Sequence, residues 1–295
     1  MTPPRQILPN TNFEVCTRTF ARTFRLLPTP AIKNAILYIV GVAAARYNIT
    51  LYAMVAMTTH YHLAGRDRDG RLPEFIQYVN SLLARALNAE QGMDDKFWSG
   101  DGYHLLRPES EDDLMRRLIY IAANPVAADL VNRATDYPGL LIRPRDIGTT
   151  ITAKRPDFFF RDSGSMQESV ELHFEVPTEF AHLGRDGYVA LLEENLRAEE
   201  QRLRTEREAQ DRSVMGADRC REAALGRRTT KFEEWFRLRP TIAARVKQER
   251  IAAIRALQAF RESYYAALKD WRAGLKAVFP LGTWWLPRFA GAAVG

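Results

Sequence analysis

Cysteine is scarce: Cys16 and Cys220 are the only thiols in 295 residues. Two thiols exclude a disulfide framework and a cysteine zinc site, and they fit a reducing compartment, so a cytoplasmic protein is expected. The stretch from Met1 to Asn12 is rich in proline and polar residues and lacks an apolar h-region, so no secretory signal is expected. No uninterrupted apolar run of membrane length occurs either. The region from Ala31 to Met57 comes nearest, but Arg46, Asn48 and Thr50 break it, and it reads as a helix followed by a strand. A phosphate-cradling glycine-rich loop, a serine triad signature and an internal repeat are all missing.

What is present is a globular composition with a mild excess of positive charge. The hydrophobic share of 46% suffices for one large core, or for an ordinary core with an extension. Lys and Arg number 42 against 36 Asp and Glu, a net charge of +6 that favours a polyanionic partner. Because the two signs are interspersed, charge alone does not identify that partner.

The most informative stretch is Met57-Thr58-Thr59-His60-Tyr61-His62-Leu63, at the end of a long apolar run. In an extended strand alternate side chains share a face, so His60 and His62 can close on one divalent ion while Tyr61 points the other way. An ordinary hydrogen-bonded histidine pair is the other reading of an isolated H-x-H. A second stretch, Ser110 to Val126, starts as a helix: Ser110 is the N-cap, Asp113 stands at capping-box spacing, and Glu111 and Asp112 sit at the positive end of the dipole. Pro125 marks the expected end. At ~100° per residue, Leu114, Met115, Leu118, Ile119, Ile121 and Ala122 form the core face. Tyr120 falls outside it, in a row with Arg116 and Asn124. Tyr120 is then either a surface tyrosine or a nucleophile, with Arg116 or Arg117 neutralising a phosphate or favouring phenolate, and the Asn124 amide oxygen completing the coordination of a hard metal.

The order H-Y-H, then F-W and G-Y-H-L-L-R, then Y-I-A-A-N-P-V resembles the single-tyrosine HUH transposases, most closely the REP-associated tyrosine transposases, over roughly residues 5 to 140. The resemblance implies an α+β fold with a ferredoxin-like antiparallel sheet. It also implies cleavage of single-stranded or hairpin DNA through a 5′-phosphotyrosine intermediate, with Mg²⁺ or Mn²⁺. Carried over by position, it makes His60 and His62 metal ligands, Tyr120 the nucleophile and Asn124 the third ligand, and Arg116 is the basic side chain expected to offset charge. One departure is Thr59, where the family usually has Asn. That departure and the large extension motivate a second reading, a domesticated nucleic-acid-binding protein whose chemistry has lapsed. A metal-dependent hydrolase of small substrates is a distant third. Monomer or homodimer, and a tyrosine acting in cis or in trans, stay open.

In chain order the expected elements are a strand from Asn12 to Phe20, a helix from Thr29-Pro30 to about Ala45, strands Ile49 to Met57 and His60 onward, a turn at Asp67 to Gly70, and a helix from Leu72 to Ala89. After a loop at Gly100 to Gly102, a short strand Tyr103 to Arg107 leads into the tyrosine helix. These make up a catalytic unit of residues 1–145. Residues 146–295 are expected to be a mainly helical extension, DNA-binding or packed on the core. It holds an irregular crossing up to Ser165, a strand at Ser169 to Val176, a charged helix from Tyr188 to about Cys220, a long helix from Pro240, and an aromatic end at Phe279 to Phe289 that packs on a core. Within it, Arg227, Arg228, Lys231, Arg237 and Arg239 cluster around Trp235 and either hold flanking DNA or pair with the charged helix. Trp98 either stacks a base or covers the core edge; Tyr103 and His104 read as packing, and Lys96, Arg107 and Arg85 as solvated charge or phosphate contacts.

Overall fold

The structure is a computed structural model that describes residues 3–161, 164–229 and 240–295. Lys231, Trp235, Arg237 and Arg239 of the basic cluster lie outside the described residues.

Strand β1 (Thr11–Thr19) is followed by helix α1 (Pro30–Tyr47), strands β2 (Ile49–Met57) and β3 (His60–Asp67), helix α2 (Leu72–Gln91), strand β4 (Trp98–Pro108) and helix α3 (Glu111–Ala127). The four strands lie in the order β2-β3-β1-β4, with every pairing antiparallel, which is the ferredoxin-like arrangement expected from the sequence. Local chemistry sets the helix ends. Thr29 accepts a hydrogen bond from the Ile32 amide with Pro30 in the first turn, and Asn48 stops α1 in the left-handed region at φ 53°. The α1 and α2 apolar faces close one side of the sheet on Phe13, Val15, Tyr61 and Leu63. The other side, with Val55, Met57 and Ala64, is covered by α3. An irregularity in β2 between Leu51 and Ala53 lets that strand serve both faces.

The rest of the chain wraps this core. Strand β5 (Leu140–Leu141) extends the sheet beside β2, and β6 (Thr150–Lys154) with β7 (Ser169–His173) forms a hairpin against α1. A Cβ at Gly41 would lie 2.7 Å from Leu172 Cγ, so this residue lets the hairpin approach closely. Helix α4 (Gly184–Ala209) packs on α3 through Tyr188, Leu192 and Leu196, and the short α5 (Ala217–Arg221) follows. Strand β8 (Ile242–Ala243) pairs in parallel with Arg107 and Pro108 at the β4 edge. Helix α6 (Lys247–Arg272), strand β9 (Val278–Phe279), helix α7 (Trp285–Ala290) and strand β10 (Ala293–Val294) complete the chain. No helix among the described residues is long and apolar enough to cross a membrane.

Six expectations are revised. Gly100 to Gly102, expected as a loop before a strand at Tyr103, lie inside β4, and the charged helix expected from Tyr188 to about Cys220 ends at Ala209, with α5 separate from it. Residues Thr150–Lys154, expected in an irregular crossing, form β6. The long C-terminal helix starts at Lys247 instead of Pro240, because Ile242 and Ala243 are taken up by the sheet edge. Helix α3 runs through Pro125 to Ala127: a proline in a last turn removes one amide donor without breaking the turns before it. Of the aromatic end, Phe279 is fully buried, whereas Trp285 and Phe289 remain exposed.

Candidate active site

The site lies on the α3 side of the sheet. Strand register places His60 opposite Arg18, and His62 opposite Cys16, which in turn faces His104 on β4. Side chains opposite one another share a face, so Glu14, Cys16, Arg18, His60, His62 and His104 occupy one surface, and Tyr61 is buried on the other. The His60 and His62 rings are 5.2 Å apart at their centroids, edge to face.

Helix α3 brings the tyrosine to this surface. Ser110 accepts a hydrogen bond from the Asp113 amide and donates its hydroxyl to Asp113 Oδ2 at 2.6 Å, an N-cap that starts the helix where the sequence places it. Three turns on, the Tyr120 ring meets the His62 ring at 5.4 Å. One turn further, Asn124 is buried, and its amide is near enough to His60 and Tyr120 to act on the protonation of both. The four side chains expected to act together are assembled by a single chain.

Arg116 is the exception. It is exposed, and the guanidinium over Tyr120 belongs to Arg117, at 4.2 Å from the ring centre. The row Arg116-Tyr120-Asn124 is real along the helix, but α3 turns Arg116 to solvent and Arg117 toward the sheet. There Arg117 donates from Nε and Nη2 to Glu14, the latter at 2.9 Å.

Sequence reasoning missed Glu14. Only 4% exposed, it also accepts from His62 Nδ1 at 2.8 Å and so ties β3 to α3 through β1. A signal for it existed, since Phe13, Val15 and Thr17 face one core and leave Glu14, Cys16 and Arg18 for the opposite face. Thr59 acts on the other imidazole, its Oγ1 lying 3.0 Å from His60 Nδ1.

These contacts separate the two histidines electrostatically. Burial, with the neighbouring His62 and Arg18 charges, holds His60 well below the usual imidazole range. Burial opposes charge on His62 too, but Cys16 and Glu14 outweigh it and push its pKa up to about 9. Glu14 stays below the usual carboxylate range because bonds from His62 and Arg117 overcome its burial. For Tyr120, burial and the Glu14 charge raise the phenol above its ordinary value despite Arg117. The resting tyrosine is therefore a phenol.

The donor set fits a divalent ion. Each histidine has Nδ1 engaged by a partner that fixes its ring, as ligating histidines commonly do, which leaves Nε2 as the nitrogen available to a metal. With an amide oxygen from Asn124, two imidazoles suit Mn²⁺ better than Mg²⁺, which prefers oxygen. Among the described residues no group of three or more His, Cys, Asp and Glu side chains is placed to hold a metal, so the amide is needed for a third protein ligand.

The other candidates resolve simply. Trp98 donates to the Asn80 carbonyl at 2.8 Å and packs edge-on against Tyr61, covering the core. Tyr103 lies opposite Thr17 on the face away from the site, under Arg5. Arg107 pairs with Glu109, and Arg85 lies over Phe159.

No family model matches the chain, and no curated protein does. Among solved structures, it is similar to a REP-associated tyrosine transposase bound to a REP hairpin, at 17% identity and a TM-score of 0.42, covering 50% of this chain and 84% of that one. It is also similar to a candidate transposase from Deinococcus radiodurans R1, at 19% identity and a TM-score of 0.30, covering 41% and 95%.

Proposed function

We propose that the protein is a metal-dependent single-strand DNA endonuclease and strand transferase of the HUH tyrosine class, acting as a transposase on hairpin or repeat elements. One observation carries this reading: His60, His62 and Tyr120, drawn from two distant stretches of sequence, meet in one cluster with Arg117 on the tyrosine, and the buried Asn124 lies one helical turn beyond it. The motif resemblance of these stretches supports the same conclusion.

In this mechanism His60, His62 and Asn124 would hold Mn²⁺ or Mg²⁺, which when bound would polarise the scissile phosphate and offset its charge. Tyr120, which is partly open to solvent, passes its Oη proton to water and attacks phosphorus. The new Oη–P bond forms as the P–O3′ bond breaks, and the released 3′ oxygen takes up a proton, so the DNA is left as a 5′-phosphotyrosine and a free 3′ hydroxyl. Arg117 counters the negative charge that develops on the phenol oxygen. Glu14 keeps Arg117 and the His62 ring in register.

The test incubates 5′- and 3′-labelled hairpin DNA bearing single-stranded flanks with protein and Mn²⁺. An SDS-resistant adduct that carries only the label 3′ of the cut, and is absent from Tyr120→Phe, is the expected result. DNA retained without any adduct would favour the lapsed, DNA-binding alternative that Thr59 motivates.

A further inference from the structure

Beside the His60 end of the site, a piece of the extension is sewn onto the loop after β1. The Phe24 amide donates to the Arg227 carbonyl at 2.7 Å, the Gly226 amide to the Phe24 carbonyl at 3.0 Å, and Thr23 and Arg228 form an antiparallel bridge. The loop is tied in turn to the β2–β3 turn: the Arg25 and Leu26 amides donate to the Thr58 carbonyl and the Thr19 amide to that of Thr59, the residue that fixes His60. Within the loop Ala21 and Arg22 are consecutive left-handed residues, φ 50° and 53°, a disfavoured conformation that persists only where the surroundings impose it.

What this arrangement displays is positive charge and one aromatic ring. Arg18 stands opposite His60, Arg22 follows in the loop, and Arg227 and Arg228 are exposed on the docked segment. Phe20 is 43% exposed, with Lys96 Nζ 5.2 Å from its ring centre. The nearby Asp95 is engaged by Arg25 at 2.8 Å. Cations along a track with an exposed aromatic is how proteins hold single strands, the charges on phosphates and the ring under a base.

We propose that the docked segment Gly226–Arg228, with Arg18, Arg22 and Lys96, forms a wall that takes the phosphates of the single strand adjoining the scissile position, with Phe20 stacking one of its bases. The inference rests on the reading of this chain as a single-strand DNA nuclease and adds a role for the extension, which supplies part of the substrate track.

The experiment measures anisotropy of a labelled hairpin with a single-stranded tail, in metal-free buffer at several salt concentrations. Arg227→Ala with Arg228→Ala should flatten the plot of log affinity against log salt by roughly 1.4, two phosphates at ~0.7 each. The double Lys substitution should keep the wild-type slope, which also guards against misfolding as the cause. Phe20→Ala should weaken binding about tenfold without altering the slope. A wild-type slope in the double Ala variant, from a protein that still forms the tyrosine adduct, overturns the wall alone. Failure of the wild-type chain to hold DNA or form adduct overturns the nuclease reading and the wall with it.

Discussion

Glu14 Oε1 lies 2.8 Å from His62 Nδ1 while the same carboxylate takes two hydrogen bonds from Arg117, so one buried acid connects the strand of the proposed metal ligands to the helix that carries the proposed nucleophile. Its removal is expected to act on stability and chemistry together. Glu14→Ala leaves a buried imidazole nitrogen and a half-buried guanidinium without their acceptor, a loss of about 2 kcal/mol. Glu14→Gln keeps one acceptor and should lose less, yet still slow adduct formation, since a neutral amide holds Arg117 less firmly. Urea melts and adduct rates on both variants check this, and wild-type values in both would make the contact incidental.

Arg117 and Arg116 are adjacent in sequence but not in role. Arg117→Ala should slow adduct formation by about 10²-fold, the usual cost of removing one group that stabilises developing charge. Arg116→Ala, at an exposed position, should leave the rate nearly unchanged. Single-turnover rates at saturating DNA decide between them, and equal effects would return the role to the pair.

Calorimetric titration with Mn²⁺ tests the proposed ligands. His60→Ala and His62→Ala are each expected to lose measurable binding, because two remaining protein donors hold a hard, water-rich ion poorly. Asn124→Ala should bind more weakly but detectably, as water replaces a neutral amide. Chelation by EDTA should stop adduct formation in the wild-type chain. Undiminished Mn²⁺ affinity in both histidine variants would make these residues structural.

Much of this site was legible because its two motifs each sit on a strongly periodic element. The alternation around His60 and the capping signal at Ser110 locate β3 and α3, and the α+β order of elements predicts the sheet. Glu14 was not legible as a functional residue, since its meaning depends on β1 lying between β3 and β4, a relation between strands that spacing within one strand does not contain. Choosing Arg117 over Arg116 likewise depends on how α3 is rotated above the sheet, and winding a helix in isolation leaves that angle free. The strand β6 and the late start of α6 were hidden for a similar reason: each is defined by a partner, β7 in one case and the β4 edge in the other.

Thr59 is the position where this chain departs from the family it resembles, and the geometry gives the threonine a task of its own. Its Oγ1 is 3.0 Å from His60 Nδ1, and its carbonyl accepts from the Thr19 amide at 2.8 Å and the Thr19 hydroxyl at 3.0 Å, so both ends of the residue are held while it orients the ring. A threonine is suited to this, since its hydroxyl serves as donor or acceptor to an imidazole and its branched side chain has few rotamers. Thr59→Val preserves shape and strand preference but removes the hydroxyl. The His60 ring then loses its orienting partner, and metal affinity should fall about 10- to 100-fold, the usual effect of losing a group that positions a ligating histidine. Thr59→Asn, which restores the family's usual residue, should retain a polar partner for Nδ1 and bind within a few-fold of wild type. Mn²⁺ titrations of the two variants, alongside thermal melts to show an intact fold, measure this directly. Equal affinity of the Val variant and the wild-type chain would mean that the Thr59 hydroxyl does not orient the His60 ring for metal.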